Sequence, residues 1–463
     1  MRSRPTIFSS VIAACLAPAL AAAQPVAPTA RTESGMVRGA SEGGSIAWKG
    51  IPYAASTAGQ NRWKAPQPAP RWDGIRDATH YGADCMQLPF PSDAAPLGTT
   101  PSENCLFANI WRPKAAGARR LPVLFWIHGG GFVNGGSSPP TYSGARLAEQ
   151  GIIVVSINYR LGRFGFMANP ALGQGDERQP YSGNYALLDQ VAALEWTKRN
   201  IAAFGGNPDD ITLMGESAGG MSVNMLLTSP LTKGKFARAI IMSGGDGRMG
   251  QDAALTTAEQ KARAFAEAHG ASADADKLRR LTPDAVIDKL NLATLGGPSP
   301  TYSGPYVDGI VVNEPRPVLQ ASQLRGTSVM IGATSADIGG PSGFMIAGAS
   351  ELGGLLARQG AAVYPYCFSY VAQSLSAKGA SHASDIPFFF NTQDIKYGNA
   401  VTSRDQAMGA TISRYVANFV KNGNPNGSGL PEWQKLAAKG EGGIMDFSDR
   451  GVAEPGSKAC GVE

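Results

Sequence analysis

Apolar residues in this chain occur in short continuous runs that alternate with segments of helical spacing. Residues 123–127 and 152–157 form two such runs, which are typical of strands buried on both faces of a parallel sheet. Residues 186–199 instead carry apolar side chains at i, i+1, i+4 and i+7, which predicts an amphipathic helix. Further strands are predicted at residues 211–214, 239–242 and 328–331, and an aromatic one at residues 364–371. The sequence therefore predicts an α/β fold with a central, mostly parallel sheet flanked by helices.

The region before the first of these runs has a different pattern. Between residues 31 and 81, short segments are broken by Gly and Pro, which predicts a small N-terminal antiparallel portion at the sheet edge. A chain of 463 residues could form two domains, but α/β enzymes of this length often have one core. We therefore expect a single α/β domain over residues 24–463.

The first residues have the pattern of a leader. Arg2 and Arg4 precede an apolar stretch at residues 7–20, and small residues follow up to Ala23. This order predicts a signal peptide at residues 1–23, and hence a protein exported to the periplasm or the medium. A membrane anchor would need about 20 apolar residues, and Pro18 argues against one. Lipoprotein processing at Cys15, which follows Ile-Ala-Ala, is the alternative.

The charge balance argues against one class of partner. The formal net charge is +5, and it falls to +3 (39 basic minus 36 acidic residues) once the two arginines of the leader are removed. Basic residues occur at most in pairs such as Arg119-Arg120. Binding of nucleic acid therefore has no support from the sequence.

The cysteines agree with export. Besides Cys15, the chain has Cys85, Cys105, Cys367 and Cys460, and none of them forms a CxxC pair, which argues against a zinc site. Four cysteines permit three pairings. A Cys85–Cys105 bond would close a Pro-rich loop, and a Cys367–Cys460 bond would tie the C-terminal tail to a strand. For Cys367, a buried free thiol is the alternative.

The segment from Gly215 to Gly219 indicates a nucleophilic serine. An apolar strand leads into Gly-Glu-Ser-Ala-Gly, and a helix-like segment follows. This order is typical of a nucleophile elbow, in which the serine lies on a tight strand-to-helix turn. Ser41 also has glycines two positions before and after it, but no helix follows, and its segment is typical of a β-hairpin turn. The sequence context therefore selects Ser217.

A second glycine-rich segment follows the strand at residues 123–127. Gly129-Gly130-Gly131 would let backbone N–H groups approach a substrate oxygen closely. Together with the N–H of Ala218, these groups would form an oxyanion hole. A phosphate-binding loop is the alternative, but the Gly-Lys-Ser/Thr ending of a P-loop is absent from this segment.

The remaining members of a catalytic triad follow from their order in the chain. After a serine on such an elbow, the acid comes next and the histidine last. His80 and His128 precede Ser217, and His269 ends an alanine-rich helical segment. These positions select His382 as the base. Asp337 is predicted as the acid because it follows the strand at residues 328–331, whose carboxyl end is where such sheets place their sites; Asp308 and Glu314 are its competitors.

The motifs together resemble those of the type-B carboxylesterase family, which includes the cholinesterases and has the α/β-hydrolase fold. The resemblance covers roughly residues 50–391. The matching segments are Gly50-Ile-Pro-Tyr, Ser102-Glu-Asn-Cys-Leu, His128-Gly-Gly-Gly-Phe, Asn158-Tyr-Arg-Leu-Gly, Gly183-Asn-Tyr-Ala-Leu-Leu-Asp-Gln, Ala202-Ala-Phe-Gly-Gly, Gly215-Glu-Ser-Ala-Gly-Gly, Gly332-Ala-Thr-Ser-Ala-Asp and Gly379-Ala-Ser-His-Ala-Ser-Asp-Ile-Pro.

The resemblance implies a role for each matching residue. It implies Ser217 as nucleophile, Asp337 as acid and His382 as base. It places the oxyanion hole at the N–H groups of Gly130, Gly131 and Ala218, gives Glu216 and Ser243 supporting roles, and pairs Cys85 with Cys105. The implied activity is hydrolysis of a small-molecule carboxylic ester, with no metal or organic cofactor and no membrane span. The same triad would also serve an amidase or an acyltransferase, and a non-catalytic binding protein on this fold is a further alternative.

Two departures from the family pattern bear on the substrate. The connection from Asp337 to His382 is much shorter than usual in the family, which predicts a more open active-site cleft. The loop between Cys85 and Cys105 is too short for the choline-binding tryptophan segment of the cholinesterases, which argues against cholinesterase activity. The sequence leaves the acyl and alcohol parts of the substrate, and the oligomeric state, undetermined. Residues 388–390, three phenylalanines, could line an acyl pocket, but a buried aromatic strand is the preferred interpretation.

Overall fold

A large twisted sheet with helices on both faces forms the framework of the protein. The computed structural model describes residues 27–90, 95–117, 119–173, 183–272, 274–295, 297, 301–439, 442–456 and 460. The strands are β1 (Thr29–Arg31), β2 (Met36–Arg38), β3 (Ala40–Glu42), β4 (Ser45–Pro52), β5 (Ile75–Asp77), β6 (Phe107–Pro113), β7 (Leu121–Ile127), β8 (Ile153–Ile157), β9 (Gly206–Glu216), β10 (Arg238–Met242), β11 (Ser328–Thr334), β12 (Ala362–Phe368), β13 (Met445–Phe447) and β14 (Ala453–Pro455). The α-helices are α1 (Ala145–Glu149), α2 (Gly162–Gly165), α3 (Tyr185–Asn200), α4 (Ala218–Thr228), α5 (Leu255–Ala268), α6 (Ala275–Arg279), α7 (Pro283–Ile287), α8 (Leu292–Leu295), α9 (Pro315–Ala321), α10 (Ile346–Arg358), α11 (Ile386–Phe389), α12 (Gln393–Tyr397) and α13 (Ser403–Asn422).

The strand order confirms the predicted fold class. The main sheet has the order β14-β13-β12-β11-β10-β9-β7-β8-β6-β4-β3. The strands from β13 to β8 in this order pair in parallel, whereas β6, β4, β3 and β14 pair antiparallel with their neighbours. The carboxyl ends of the parallel strands therefore meet along one edge of the sheet, which is where sites of open α/β sheets lie.

The continuous apolar run at residues 123–127 is explained by burial of β7 on both faces. Val123, Phe125 and Ile127 belong to one hydrophobic cluster, which also contains residues of α3, α4 and α10. Leu124 and Trp126 belong to a second cluster, with residues of α1, α11 and α13. Because side chains alternate along a strand, a sheet covered on both faces needs apolar residues at every position. This requirement produced the pattern that predicted the fold.

The N-terminal portion agrees with its prediction except in one detail. β3 and β4 form an antiparallel hairpin in which Glu42 pairs with Ser45, so Ser41 lies in a hairpin as predicted, on its first strand. A separate three-stranded sheet contains β1, β2 and β5. β1 is antiparallel to β2, but β2 and β5 are parallel. The small sheet is therefore mixed, because residues between β2 and β5 cross over before the chain returns to pair.

Two disulfide bonds join the four cysteines that follow the predicted leader. Cys85 is bonded to Cys105, and Cys367 to Cys460. The second bond ties the tail to β12, as the sequence suggested, so Cys367 is not a free thiol. Both bonds are consistent with an exported protein. The predicted leader at residues 1–23, and with it Cys15, lies outside the described residues.

Within the described residues, no helix is both long enough and apolar enough to cross a membrane.

Candidate active site

The strand β9 and the helix α4 hold Ser217 at the turn between them. Ser217 has φ 54° and ψ −122°, a strained backbone for a residue with a side chain. Its N–H donates to Met242 O of β10 at 2.9 Å, and its carbonyl accepts from Met221 N–H of α4 at 2.8 Å. A Cβ at Gly219 would lie 2.1 Å from Ile127 O, so only glycine fits there. The elbow predicted from the sequence is present, with its serine 9% exposed.

Ser217, His382 and Asp337 form one hydrogen-bonded line. His382 Nε2 lies 2.9 Å from Ser217 Oγ, and His382 Nδ1 lies 2.6 Å from Asp337 Oδ1. The arrangement fits the tautomer in which Nδ1–H donates to the carboxylate and the lone pair of Nε2 accepts from the serine hydroxyl. The three residues follow the carboxyl ends of β9, β11 and β12, so the parallel sheet brings them together.

The Asp337 carboxylate is fixed by other donors as well. Oδ2 accepts from the Ser243 hydroxyl at 2.6 Å and from Thr334 N–H at 3.2 Å, and Oδ1 accepts from Ile338 N–H at 2.7 Å. Burial raises the pKa of Asp337, but its hydrogen bonds and the charge of His382 outweigh this effect and leave the pKa below its usual value. These contacts favour the ionised form of Asp337 and fix the orientation of its carboxylate.

Glu216 is a second carboxylate close to His382. Its Oε1 lies 3.3 Å from His382 Nε2, and its side chain is buried. Burial lowers the pKa of His382. The charges of Glu216 and Asp337 and the hydrogen bond to Asp337 have a larger, opposite effect, so the pKa is raised to about 9. The site therefore favours the imidazolium form, the form that follows proton transfer from the serine.

The glycine loop faces Ser217 from the end of β7. Gly130 and Gly131 have φ 102° and 61°, a conformation that glycine adopts without strain. Within the described residues, neither N–H donates to a protein acceptor. Ala218 is the first residue of α4, where a backbone N–H has no partner inside the helix. Gly130, Gly131, Ser217 and Ala218 line one cavity.

This cavity, of about 660 Å³, is mainly apolar. Besides Phe132 of the His-Gly-Gly-Gly-Phe motif, its lining includes residues that the sequence did not point to: Phe90, Tyr142, Met221, Leu290, Leu292, Leu295, Tyr302, Ile338, Phe344 and Met345. Two charged residues of the lining, Asp252 and Lys261, were also not predicted. The wall residues come from separate loops and short helices, so no local motif marks them. Only the tertiary fold brings them to the serine.

Asp385 was also missed, although it lies only three residues after His382. Its side chain is buried and accepts from the Tyr366 hydroxyl at 3.2 Å. Burial and the charge of Asp337 raise its pKa to about 7, against the opposing charge of His382. The charge of Asp385 is in turn one of those that raise the pKa of His382. Its place in the Ser-His-Ala-Ser-Asp segment was the available signal.

The other three histidines have different environments. His80 lies on the surface beside Thr79, and His269 Nδ1 contacts Phe265 O at the end of α5. His128 is buried and stacked on Tyr159, and burial lowers its pKa to about 4. It is therefore neutral near pH 7.

The two alternative carboxylates, Asp308 and Glu314, accept hydrogen bonds from backbone N–H groups in other parts of the fold. Asp308 Oδ1 accepts from backbone N–H groups of its own turn, among them those of Ile310 and Val311. Glu314 accepts from Met249 N–H at 2.8 Å. The carboxylate beside His382 Nδ1 is that of Asp337.

The phenylalanines at residues 388–390 do not form the expected strand. Phe388 and Phe389 are in the helix α11, and Phe390 follows its last residue. They pack in the core beneath the sheet, where Phe390 meets Trp126 with ring centroids 4.9 Å apart. A short apolar run is equally compatible with a buried strand and a buried helix. Pro387, in the first turn, was the signal for a helix start.

Comparison with known proteins identifies relatives along most of the chain. The model of the Carboxylesterase family matches residues 26–342 and 341–459. Para-nitrobenzyl esterase from Bacillus subtilis (strain 168) is 34% identical over 452 residues, which cover 85% of this chain and 90% of that protein. Carboxylesterase 1D from Mus musculus is 31% identical over 487 residues, which cover 84% of this chain and 83% of that protein.

A more local match and a solved structure agree with these relatives. Fumonisin B1 esterase from Sphingopyxis macrogoltabida is 46% identical over 217 residues, or 46% of this chain and 39% of that protein. A solved structure of PNB esterase is similar with a TM-score of 0.81 at 28% identity, covering 92% of this chain and 96% of that chain. The resemblance seen in the motifs is thus confirmed, and the chain belongs to the carboxylesterase family, as a carboxylic-ester hydrolase of the serine hydrolase type.

Proposed function

We propose that this carboxylesterase hydrolyses small-molecule esters in two steps, with Ser217 as nucleophile, His382 as general base and acid, and Asp337 as the orienting carboxylate. The observation that carries the proposal is the continuous line from Ser217 Oγ to His382 Nε2, at 2.9 Å, and from His382 Nδ1 to Asp337 Oδ1, at 2.6 Å. Both distances are within the range needed for proton transfer and for fixing the tautomer.

In the first step, Ser217 Oγ attacks the ester carbonyl carbon while its proton moves to His382 Nε2. The carbonyl oxygen becomes an oxyanion, which the N–H groups of Gly130, Gly131 and Ala218 stabilise. Loss of one such donor typically lowers turnover by about 10²–10³-fold. The tetrahedral intermediate then collapses, the alcohol leaves with the proton from His382, and Ser217 remains acylated.

In the second step, water replaces the alcohol. His382 takes a proton from the water as it attacks the acyl carbon, and the same three N–H groups hold the second oxyanion. Collapse of this intermediate releases the carboxylic acid and returns the proton to Ser217. Asp337 keeps its negative charge throughout and stabilises the imidazolium of His382. The depressed pKa of Asp337 supports this assignment.

The same residues would serve two related reactions. An amidase differs in its leaving group, and an acyltransferase differs in the acceptor of the acyl group. The rate ratio for matched amides and esters tests the first, and analysis of products with added alcohol tests the second. A binding protein without catalysis is disfavoured by the intact line of Ser217, His382 and Asp337.

The decisive experiment is to label the nucleophilic residue covalently and identify it. Hydrolysis of p-nitrophenyl acetate, butyrate and octanoate is measured before and after treatment with a serine-directed organophosphonate, followed by mass spectrometry of the labelled peptide. We expect loss of activity with one adduct on Ser217. The variant Ser217→Ala should lose the burst of p-nitrophenol and the adduct, whereas Ser41→Ala, at the other serine with the Gly-x-Ser-x-Gly pattern, should keep both. Wild-type rates in Ser217→Ala would refute the proposal.

A further inference from the structure

One ion pair interrupts the apolar wall of the active-site cavity. Lys261, on α5, places its Nζ 2.9 Å from Asp252 Oδ2. The side chain of Lys261 is 20% exposed and that of Asp252 75% exposed. Among the described residues that line the cavity, Lys261 is the only basic side chain besides His382. A lysine ammonium on a wall of Leu, Phe, Met and Tyr side chains therefore offers a charged contact in a cavity that is otherwise mainly apolar.

The ion pair lies where two cavities meet. Asp252 lines both the active-site cavity and a smaller one of about 130 Å³, and Met221, Ser303 and Pro305 are likewise shared between the two linings. Arg248 lines the smaller cavity as well, where it pairs with Asp246. A substrate group that extends from Ser217 towards this junction would meet Lys261.

The two members of the pair differ in how easily they can change partner. Asp252 is mostly in water, and ion pairs of such exposed groups contribute little to stability. Its carboxylate can therefore turn back into solvent at small cost. Lys261 is mostly buried and lines the active-site cavity, so its ammonium can stay there and bind another anion.

The charges around the cavity favour one orientation of a substrate that carries a carboxylate. Near Ser217, the buried carboxylates of Glu216 and Asp337 flank His382, so this end of the cavity offers no net positive charge to an anionic group even when His382 is protonated. Lys261 attracts it to the other part of the cavity. A substrate with one ester and one carboxylate would therefore bind with the ester at the oxyanion hole and the carboxylate at Lys261, since the opposite orientation places two negative charges together.

We propose that Lys261 forms a carboxylate subsite, so that the preferred substrates are esters that also carry a free carboxylate. This inference rests on the proposed ester hydrolysis at Ser217. The carboxylate belongs either to the acyl part, as in the half-ester of a dicarboxylic acid, or to the alcohol part, as in an acylated hydroxy acid. Asp252 occupies the ammonium when no such substrate is bound.

The test compares substrates that differ only in one charge. On the acyl side, monomethyl glutarate, adipate and suberate are each paired with the ester in which the free acid is replaced by its amide. On the alcohol side, 6-acetoxyhexanoate is paired with its amide. Values of kcat/KM are measured by pH-stat. We expect the acid to exceed the amide by about 10-fold in at least one pair, as for a partly buried ion pair. The pair that responds shows which part of the substrate carries the carboxylate.

Variants show whether Lys261 causes the preference. Lys261→Gln should bring the ratio of acid to amide close to one, and Lys261→Arg should retain most of it. Asp252→Asn should increase the ratio, because it removes the competing carboxylate. Lys233→Gln, which removes the same charge from an exposed position outside the cavity lining, should leave the ratio unchanged. The ratio cancels any general loss of activity in a variant.

A binding measurement gives a second readout. Adipate itself should inhibit hydrolysis of p-nitrophenyl butyrate competitively, with an inhibition constant that rises about 10-fold in Lys261→Gln and not in Lys233→Gln. Equal kcat/KM for acid and amide in every pair, or an unchanged ratio in Lys261→Gln, would overturn the subsite. Failure of the proposed function gives a different result: the wild type would then not hydrolyse the ester bond of the neutral, amide-bearing substrates either.

Discussion

In the proposed mechanism, Asp337 is the residue that orients His382. Its carboxylate receives the Nδ1–H of His382 and is held by Ser243 and by Ile338 N–H. We expect Asp337→Asn to lower kcat by about 10³–10⁴-fold, because an amide stabilises the wrong tautomer and cannot stabilise the imidazolium. Ser243→Ala removes one hydrogen bond and keeps the charge, so it should cost only about 10-fold. Steady-state kinetics with circular dichroism as a folding control measure both, and equal losses would contradict the assignment.

The pH dependence of hydrolysis should report the carboxylates around His382. As the proposed base, His382 acts only when neutral, and its pKa is raised to about 9. The value of kcat/KM should therefore rise with pH and reach half of its plateau near pH 9. Glu216→Gln removes a negative charge 3.3 Å from Nε2. This change destabilises the imidazolium, so the pKa should fall and the rising limb should move to lower pH.

The comparison is made on normalised profiles of kcat/KM from pH 6 to pH 10. A Glu216→Gln profile that coincides with the wild-type profile, or moves to higher pH, would contradict the role given to Glu216. Glu351→Gln is the matched control, since Glu351 pairs with Arg316 outside the active-site lining and should leave the limb in place.

At the residue scale, the sequence selected side chains that the fold brings together wherever a motif fixes their position. Ser217 lies on an elbow with a known signature, and the order of acid and histidine after it left few candidates. Lys261 and Leu292 had no such signature, because they reach the cavity only through the packing of α5 and α8. Asp385 was overlooked because its effect on His382 depends on burial, which a loop sequence does not reveal.

At the scale of elements, the contact between the elbow and the strand β7 determines the site geometry. A Cβ at Gly219 would lie 2.1 Å from Ile127 O and 2.9 Å from His128 O. We expect Gly219→Ala to lower the free energy of unfolding by about 1–3 kcal/mol through overpacking. It should also lower kcat, because the displaced backbone leads directly into the loop that carries Gly130.

Urea denaturation and kinetics check this prediction against a control glycine. Gly117 is exposed, and a Cβ there would meet nothing within 4 Å. Gly117→Ala should therefore leave kcat unchanged and change the stability by less than about 1 kcal/mol. If Gly219→Ala changed kcat and the free energy of unfolding no more than Gly117→Ala does, the close contact with Ile127 O would not contribute to stability or activity.

The strands of the parallel sheet could be predicted from the sequence because burial on both faces leaves a continuous apolar signal. The same signal failed at residues 388–390, where a short buried helix gives an equally apolar run. The segment between α7 and α9, which supplies Tyr302 and the leucines of the cavity wall, has no clear periodicity. No local pattern therefore predicted that these side chains line the cavity.

For the molecule as a whole, the two disulfide bonds should differ in their contribution to stability. They join residues 20 and 93 positions apart. In the chain-entropy model, loops of these sizes give about 3 and about 4.5 kcal/mol. Urea denaturation of Cys85→Ala/Cys105→Ala and of Cys367→Ala/Cys460→Ala should therefore show the larger loss in the second double variant. The opposite order would show that native contacts, rather than loop closure, dominate.

The single-domain organisation of residues 24–463 stays a prediction at this scale, as does the leader. Both disulfide pairs could be proposed from the sequence, but not decided, because four cysteines permit three pairings. Sequence proximity favoured Cys85 with Cys105. Only the placement of the C-terminal tail beside β12 explains the bond between Cys367 and Cys460.

The order of the strands also has a consequence for the timing of biosynthesis. Ser217 and His382 are 165 residues apart in the chain, and β10, β11 and β12 must take their places in the sheet before the two side chains can meet. With the proposed roles, the nucleophile Ser217 emerges from the ribosome well before the base His382 has been synthesised. The nascent chain should therefore be inert towards esters until residue 382 has emerged and β10, β11 and β12 have folded.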